Sequence, residues 1–344
     1  MIVIENNNLD PAYNHALEEY LFNNFKEDIF IIWRNRPCIL LGRNQNIYKE
    51  VNIDYCIENN MDIVRRLSGG GTIYCDLEII QYTFITRERE GNSFSYFTKP
   101  IIDSLDKLGL KGEFTGRNDL IIDGKKFSGN AQYHSNGKVL HHGSILYGGN
   151  MENMKKALRP NPLKFVGKNV NSVSARVGML KNEMDLSVTE FMDHIKKTVL
   201  EDFKINKISK IDEKTEDEIL KIKTKRFASD NWNYGKSPKC GIKHSVKHNF
   251  GIVEYGVSLA NGVVDDIIIN GDFFGKDDIK KFSERLVGLR FTEKDFKNAL
   301  YTNKISDYID GMTSEIFIND IFKRESIERS NILIEDINCK KECL

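Results

Sequence analysis

The sequence predicts an α+β protein in two parts: a mixed, mainly antiparallel sheet with flanking helices, then a smaller α+β unit. Three observations carry this. Helical and strand-like segments succeed one another without the strict strand–helix–strand alternation of a doubly wound parallel sheet. Strand-like runs follow each other directly across short polar turns, as in "DIFIIWRNRPCILLGR" and "LIIDGKKFSGNAQYH". After about Pro238 the texture changes, and "FGIVEYGVSLANGVVDDIIINGDFF" alternates apolar and polar residues on both sides of Asn261-Gly262, a favoured hairpin turn. The division is placed between residues 1–243 and 244–344.

Each element has a local cause. Asp10-Pro11 offers an N-cap with proline at the first helical position, and Ala12, Ala16, Leu17, Tyr20 and Leu21 recur at helical spacing. Two strands follow, Ile29–Trp33 and Cys38–Leu41, separated by a polar turn with Pro37. "VNIDYCIENN" reads as helix, Ile63-Val64 as a short strand, Thr72-Ile73-Tyr74 and "IIQYTFIT" as further strands. A helix is expected from about Lys99 to Leu108, strands at "LIIDGKKFSGNAQYH" and "HHGSILYGG", and helices at Met151–Leu158 and Val188–Phe203. The Lys/Glu-rich run 207–225 reads as a solvated linker or helix face. In the second part the hairpin is followed by helices at Lys276–Leu286 and Glu293–Leu300 and a charged tail.

Composition narrows the function. The chain has 344 residues, 40% of them hydrophobic, enough for about two domains with real cores. Lys and Arg number 50 against 50 Asp and Glu, so no basic field exists to recruit nucleic acid or an anionic membrane. No run approaches the roughly 18 apolar residues of a membrane span, and "MIVIENNNLD" lacks signal-peptide character. A cytoplasmic monomer is expected. The six cysteines form no disulfide framework, and "CKKEC" is a lone pair without further metal ligands.

Three stretches carry candidate chemistry. Ser68-Gly69-Gly70-Gly71 can form a nest of backbone amides for anionic oxygens, to which Arg65 and Arg66 would add positive charge, with an ordinary flexible loop as the bland alternative. It is neither a P-loop nor a dinucleotide fingerprint. "GRNDLIIDGKKFSGNAQY" sets Arg117, Asn118 and Asp119 at the head of a strand and Lys126 just before Ser128-Gly129. There Asp119 could hold Mg²⁺ beside a triphosphate, and Lys126 could bridge an attacking carboxylate and an α-phosphate. His141-His142 enters an apolar strand, where neighbours face opposite sides, so at most one lines a site.

Together these motifs become specific. Arg65-Arg66-x-Ser68-Gly69-Gly70-Gly71, "GRNDLIIDGKKFSGNAQ", "HHGSILY" and "VNSVSARV" stand in the order and spacing of lipoate-protein ligases of the long, LplA-like type. "KRFASDNWNYGKSP" and the hairpin with "NGDFFG" resemble that family's linker and accessory domain, so the resemblance spans nearly the whole chain. It implies a biotin/lipoate-ligase-like catalytic domain with a small α+β accessory domain. It also implies a two-step reaction: lipoate and ATP give lipoyl-AMP, and the acyl group then passes to a lysine of a lipoyl carrier domain. Such carriers are the glycine cleavage H protein and E2 subunits of 2-oxoacid dehydrogenases.

Carried over residue by residue, the resemblance makes Lys126 the catalytic cation for the lipoate carboxylate and the α-phosphate. Arg66, Ser68, Gly69, Gly70, Gly71, Thr72, Ile73, Tyr74, Ser128 and His142 would contact the nucleotide or acyl chain. Asn118 and Asp119 would hold adenine and Mg²⁺, and Lys168 to Arg176 would form a loop over the adenylate, protecting a hydrolysable anhydride from water.

The chain departs from the family where His-Asp-x-Gly-Asn is usual, reading Cys75-Asp76-Leu77-Glu78-Ile79. Glu78 would bring a carboxylate toward the phosphate site, and Ile79 deletes a hydrogen-bonding side chain. Cys75 as a thioester carrier is disfavoured, because the cysteine-dependent relatives place theirs downstream of the Lys-Ser-Gly motif. Two other functions are set beside the ligase: a lipoyltransferase that takes preformed lipoyl-AMP or another activated donor, and a non-catalytic carrier-binding scaffold.

Overall fold

The computed structural model describes residues 1–88, 94–159, 178–234, 242–260 and 262–322. Its strands begin with β1 (Ile2–Ile4), β2 (Ile29–Arg34), β3 (Cys38–Leu41), β4 (Asp62–Arg65), β5 (Ile73–Cys75) and β6 (Ile79–Arg87). They continue with β7 (Gly112–Phe114), β8 (Asp119–Ile122), β9 (Lys125–Ser135), β10 (Lys138–Leu146) and β11 (Ile208–Ser209). The C-terminal strands are β12 (Ile242–His248), β13 (Gly251–Ala260) and β14 (Val263–Gly271). The helices of the first part are α1 (Pro11–Asn24), α2 (Ile47–Glu50), α3 (Ile53–Glu58), α4 (Phe94–Asp106), α5 (Met151–Ala157), α6 (Val188–Asp202), α7 (Glu213–Ile222) and α8 (Asp230–Tyr234). The C-terminal part adds α9 (Ile279–Glu284), α10 (Glu293–Leu300) and α11 (Ser314–Phe322).

Among the described residues the large sheet runs β11-β1-β2-β6-β10-β9-β8-β7. Within this sheet only β1 pairs in parallel, with β2 and β11; its other pairs are antiparallel, as expected. A small sheet, β4-β3-β5, stands on one face beneath α1, and α4 and α6 cover the other. The sheet therefore separates two apolar clusters, one built on Leu17, Leu21, Trp33 and Leu41 and one on Phe84, Phe97, Phe127 and Phe191. The β12–β14 meander forms a third core with α9 to α11, around Tyr255, Phe273, Phe282 and Phe317. No helix of the described residues is long and apolar enough to cross a membrane.

Local chemistry sets the elements. Asp10 caps α1 by accepting from the amides of Ala12 and Tyr13 at 2.9 and 3.2 Å. The hairpins β8–β9 and β9–β10 turn on Asp123-Gly124 and Asn136-Gly137, whose φ values of 48° and 72°, and 52° and 68°, are those of the primed turns that match strand twist. Three expectations needed correction. The helix expected at Lys99 starts at Phe94, which lays Phe97 into the core and leaves Pro100 inside the helix. The run 207–225 is not merely a linker: α7 buries Ile219, and the following turn buries Phe227, against the core beneath α1. The tail holds α11, whose Phe317, Ile318 and Ile321 are buried.

Arg65, at the end of β4, ties the small sheet to α8. It is fully buried and donates from Nε to the Trp232 carbonyl at 3.0 Å and from Nη2 to that of Asn233 at 2.9 Å. Its Nη1 donates to the carbonyls of Gly42, Arg43 and Gln45 at 3.1, 3.1 and 2.6 Å. The charge expected to serve a ligand is thus committed to backbone. Lysine cannot reproduce that planar fork, so Arg65→Lys should lower unfolding free energy by about 3 kcal/mol, measured by urea titration.

Candidate functional site

The second arginine shapes the glycine loop. Arg66 is buried and donates from Nη1 to the Leu40 carbonyl at 2.7 Å, and from Nη2 to those of Gly69 and Gly71 at 3.1 and 2.8 Å. Burial lowers its pKa to about 10, which leaves it charged at neutral pH. In a trans peptide the carbonyl of one residue and the amide of the next point in opposite directions. With the Gly69 and Gly71 carbonyls turned inward to Arg66, the Gly70 and Thr72 amides are aimed away from it. Arg66 builds the nest through these bonds to backbone carbonyls.

What lies on that nest is the C-terminal segment. The Gly70 amide donates to the Phe273 carbonyl at 3.4 Å. A Cβ on Gly69 would stand 2.4 Å from the same oxygen, and one on Gly70, whose φ is +87°, would meet the Phe274 ring at 3.2 Å. That ring lies 5.6 Å from Phe94 and under the Arg117 guanidinium at 5.5 Å, and Arg117 donates to the Phe250 carbonyl at 2.6 Å. Arg43–Asp278 at 2.7 Å, Lys49–Glu254 at 3.1 Å and Gly271 amide to Asn44 carbonyl at 2.8 Å complete the seam. A backbone carbonyl occupies the position that the nest offers to an anionic oxygen.

Lys126 owes its place to a β-bulge. On β8 and β9, Asp119 pairs with Gly129 and Leu120 with Ser128, but Ile121 pairs with Lys126, so Phe127 is extra and turns into the core. The shift lets Lys126 and Gly129, three residues apart, share a face with Asp119. Lys126 Nζ lies 2.7 Å from Asp119 Oδ1 and 3.0 Å from where a Gly129 Cβ would be. Ser144 of β10 pairs with Gly129, and His142, two residues earlier, faces the same way. His142 Nε2 is 2.6 Å from Ser68 Oγ. One sheet face thus joins the lysine hairpin to the glycine loop.

Other expected residues fall elsewhere. Ser128 turns to the opposite face, where Asn130 Nδ2 donates to its Oγ at 3.4 Å. Asn118 donates to the Asn130 carbonyl at 2.9 Å. Thr72 bonds Gln45 at 2.5 Å, Ile73 packs against the core beneath α1, and the Tyr74 hydroxyl reaches Asp76 at 3.1 Å. His141 is buried against Phe97 at 4.8 Å, and desolvation holds it well below the usual histidine range, hence neutral. Lys168 and the rest of 168–176 lie outside the described residues.

The departures are also placed. Glu78 accepts from Lys181 Nζ at 2.9 Å and the Gly149 amide at 3.0 Å; those bonds, the lysine first, hold its carboxyl below the usual range. It is engaged at the β10–α5 turn, not with the glycine loop. Ile79 joins the core, and Cys75 is buried opposite Cys38, accepting from Gln81 Nε2 at 3.4 Å. Such a buried thiol is no acyl carrier.

Sequence reasoning missed Glu18, His15, the Phe273-Phe274 segment and Gln45. For the first two a signal existed. The apolar residues of α1 run nearly all round it, so polar residues among them had to be buried and partnered.

Comparisons with known proteins bear on the fold and the family. Residues 10–200 match the lipoyl protein ligase A/B catalytic domain, and residues 237–321 match the bacterial lipoate protein ligase C-terminus. The lipoate-protein ligase LplJ of Bacillus subtilis is 33% identical over 332 residues, 94% of this chain and 100% of that one. Lipoate–protein ligase 1 of Staphylococcus aureus is 36% identical over 296 residues, 84% of this chain and 90% of its own. P. falciparum LipL1, solved in complex with lipoate, superposes with a TM-score of 0.77 at 22% identity, over 96% of this chain and 99% of that one, and supports the fold.

The seam makes a ligand-free prediction. In Gly69→Ala the new methyl should push the Phe273 carbonyl off the loop, so amide hydrogen exchange over 270–275 should rise while the global melting temperature stays near that of the parent. Unchanged exchange would show that the contact is not tight.

Proposed function

The chain belongs to the lipoate-protein ligase A family, and on that footing we propose that it is an ATP-dependent lipoate-protein ligase whose catalytic cation is Lys126. In the first step a lipoate carboxylate oxygen attacks the α-phosphorus of ATP, forming the acyl phosphate bond of lipoyl-AMP and releasing pyrophosphate. In the second a lysine amine of a lipoyl carrier domain attacks the acyl carbon, loses its proton, and displaces AMP. The glycine cleavage H protein and E2 subunits are the carriers proposed.

The observation that carries the reading is the Lys126–Asp119 pair held on Gly129. Two anions, a carboxylate and an α-phosphate, repel as they meet, and a fixed ammonium between them stabilises the charge of the transition state. The donor set also fits Mg²⁺, because Asp119 offers one carboxylate 2.7 Å from Lys126 and this ion takes its other positions from phosphate and water. Bound there, Mg²⁺ would neutralise triphosphate charge, with Asp119 as its protein ligand. The Gly70 and Thr72 amides receive anionic oxygens once the Phe273 carbonyl has left.

Two measurements test this. Lys126→Ala should retain its fold by circular dichroism and lose lipoate-dependent ATP–pyrophosphate exchange by about 100-fold or more; exchange at the parental rate would remove Lys126 from the chemistry. Gly129→Ala, which displaces only the lysine's tip, should cost about tenfold with stability unchanged. Mass spectrometry of a carrier domain should show lipoylation from lipoate plus Mg-ATP. Modification from synthetic lipoyl-AMP alone would make the protein a transferase, and none from either donor a scaffold.

A further inference from the structure

Behind the glycine loop a buried polar chain leads from the motif residues Ser68 and His142 to Glu18, which the sequence motifs do not include. Glu18 of α1, fully enclosed, has Oε1 2.6 Å from Thr83 Oγ1 and 3.0 Å from His142 Nδ1, and Oε2 2.7 Å from His15 Nδ1. Burial alone would raise its pKa. Three groups converge on its two oxygens, Thr83 and both imidazoles, and their hydrogen bonds hold the carboxyl below the usual range as an ionised acceptor.

Proton positions follow from that. An acceptor-only carboxylate requires Nδ1–H on both imidazoles. In the Nδ1–H tautomer of His142 the Nε2 is bare, and Ser68 Oγ, 2.6 Å away, gives it its single hydrogen. The lone pairs of Ser68 are thereby turned to Arg66 Nε, at 3.4 Å. Were the His142 tautomer reversed, Nε2–H and Nε–H would converge on one hydroxyl oxygen whose hydrogen had no acceptor there. Arg66 in turn fixes the Gly69 and Gly71 carbonyls and so aims the Gly70 and Thr72 amides.

We propose that Glu18 is a positioning residue of the active site: through His142 and Ser68 it sets the hydrogen-bond direction that holds Arg66 and the glycine loop. This rests on the ligase reading for what the loop does, and on the geometry alone for how the loop is held. Ser68, His142 and Glu18 also have the order of a nucleophile, base and orienting acid. Ser68 is 1% exposed beneath the loop, so the arrangement serves direction and not attack.

Two experiments decide it. Long-range proton–nitrogen spectra of the full chain, ¹⁵N-labelled at its seven histidines near neutral pH, should show His142 and His15 in the Nδ1–H form, His142 being assigned with His142→Asn. An Nε2–H or doubly protonated His142 would overturn the proposal whatever the protein's activity. In pyrophosphate exchange, Glu18→Gln should lower kcat by about 10- to 100-fold with little change in KM. Combined with Ser68→Ala it should fall no further than the worse single variant, since both act along one route. Additive losses, or a hydroxylamine-labile acyl group on Ser68, would overturn it. A parent protein with no lipoate-driven exchange would sink the ligase reading and leave the spectra to judge the chain of bonds.

Discussion

A buried guanidinium is the constraint on which the site depends. Glycines alone give a loop freedom, and freedom does not aim an amide. Arg66 removes it by taking the Gly69 and Gly71 carbonyls, and peptide planarity then carries the consequence to the opposite side of the chain. Arg65, its neighbour, points the other way and is equally committed, to α8 and the Gly42–Gln45 segment. Burial lowers the proton affinity of both, and for Arg65 the neighbouring Arg66 charge adds to it. The two charges are tolerable because carbonyl dipoles surround both and the ionised Glu18 lies on Arg66's side.

The lysine hairpin solves a different problem with one extra residue. A regular ladder would send Lys126 and Gly129 to opposite faces, because side chains alternate strictly. The bulge at Phe127 reverses that parity, and Gly129 removes the one side chain that would obstruct the ammonium. The inserted residue is not idle, since its ring fills the core on the far face. Packing on one side of the sheet thus fixes chemistry on the other, and the pairing of Gly129 with Ser144 extends the same rigidity toward His142 and Ser68.

How much of this was legible in the sequence depended on whether the cause was local. The primed turns, the α1 cap and the Asn261-Gly262 hairpin were readable because a few adjacent residues determine them. Lys126 and Asp119 were each singled out by their motif, but their contact was not, since it depends on the extra residue in the hairpin. Nor was the role of Arg66 readable. A charged residue before glycines reads as a ligand contact, and only the return of the loop onto β3 shows its donors already taken. The face that Ser128 takes was not readable for the same reason: it is fixed by a bulge that no spacing rule announces. α7 could be read no further than as a solvated linker or helix face, because one buried isoleucine and one phenylalanine among many lysines and glutamates suffice to seat it.

The Cys75, Glu78 and Ile79 departures can now be weighed by where their side chains go. The fear that Glu78 would repel a phosphate assumed a carboxylate turned to the glycine loop. It is instead bound by Lys181 and the Gly149 amide, while Asp76 beside it accepts from the Asn150 amide at 2.8 Å at the start of α5. The pair fastens the β5–β6 turn to the β10–α5 turn. Ile79 and Cys75 add apolar volume and a thiol to a core already closed by Cys38 and Trp33. These three positions therefore act on how the wall of the site is held and not on the charges within it. None of the three side chains contacts Lys126 or Asp119, whose pairing rests on the β8–β9 bulge and on Gly129.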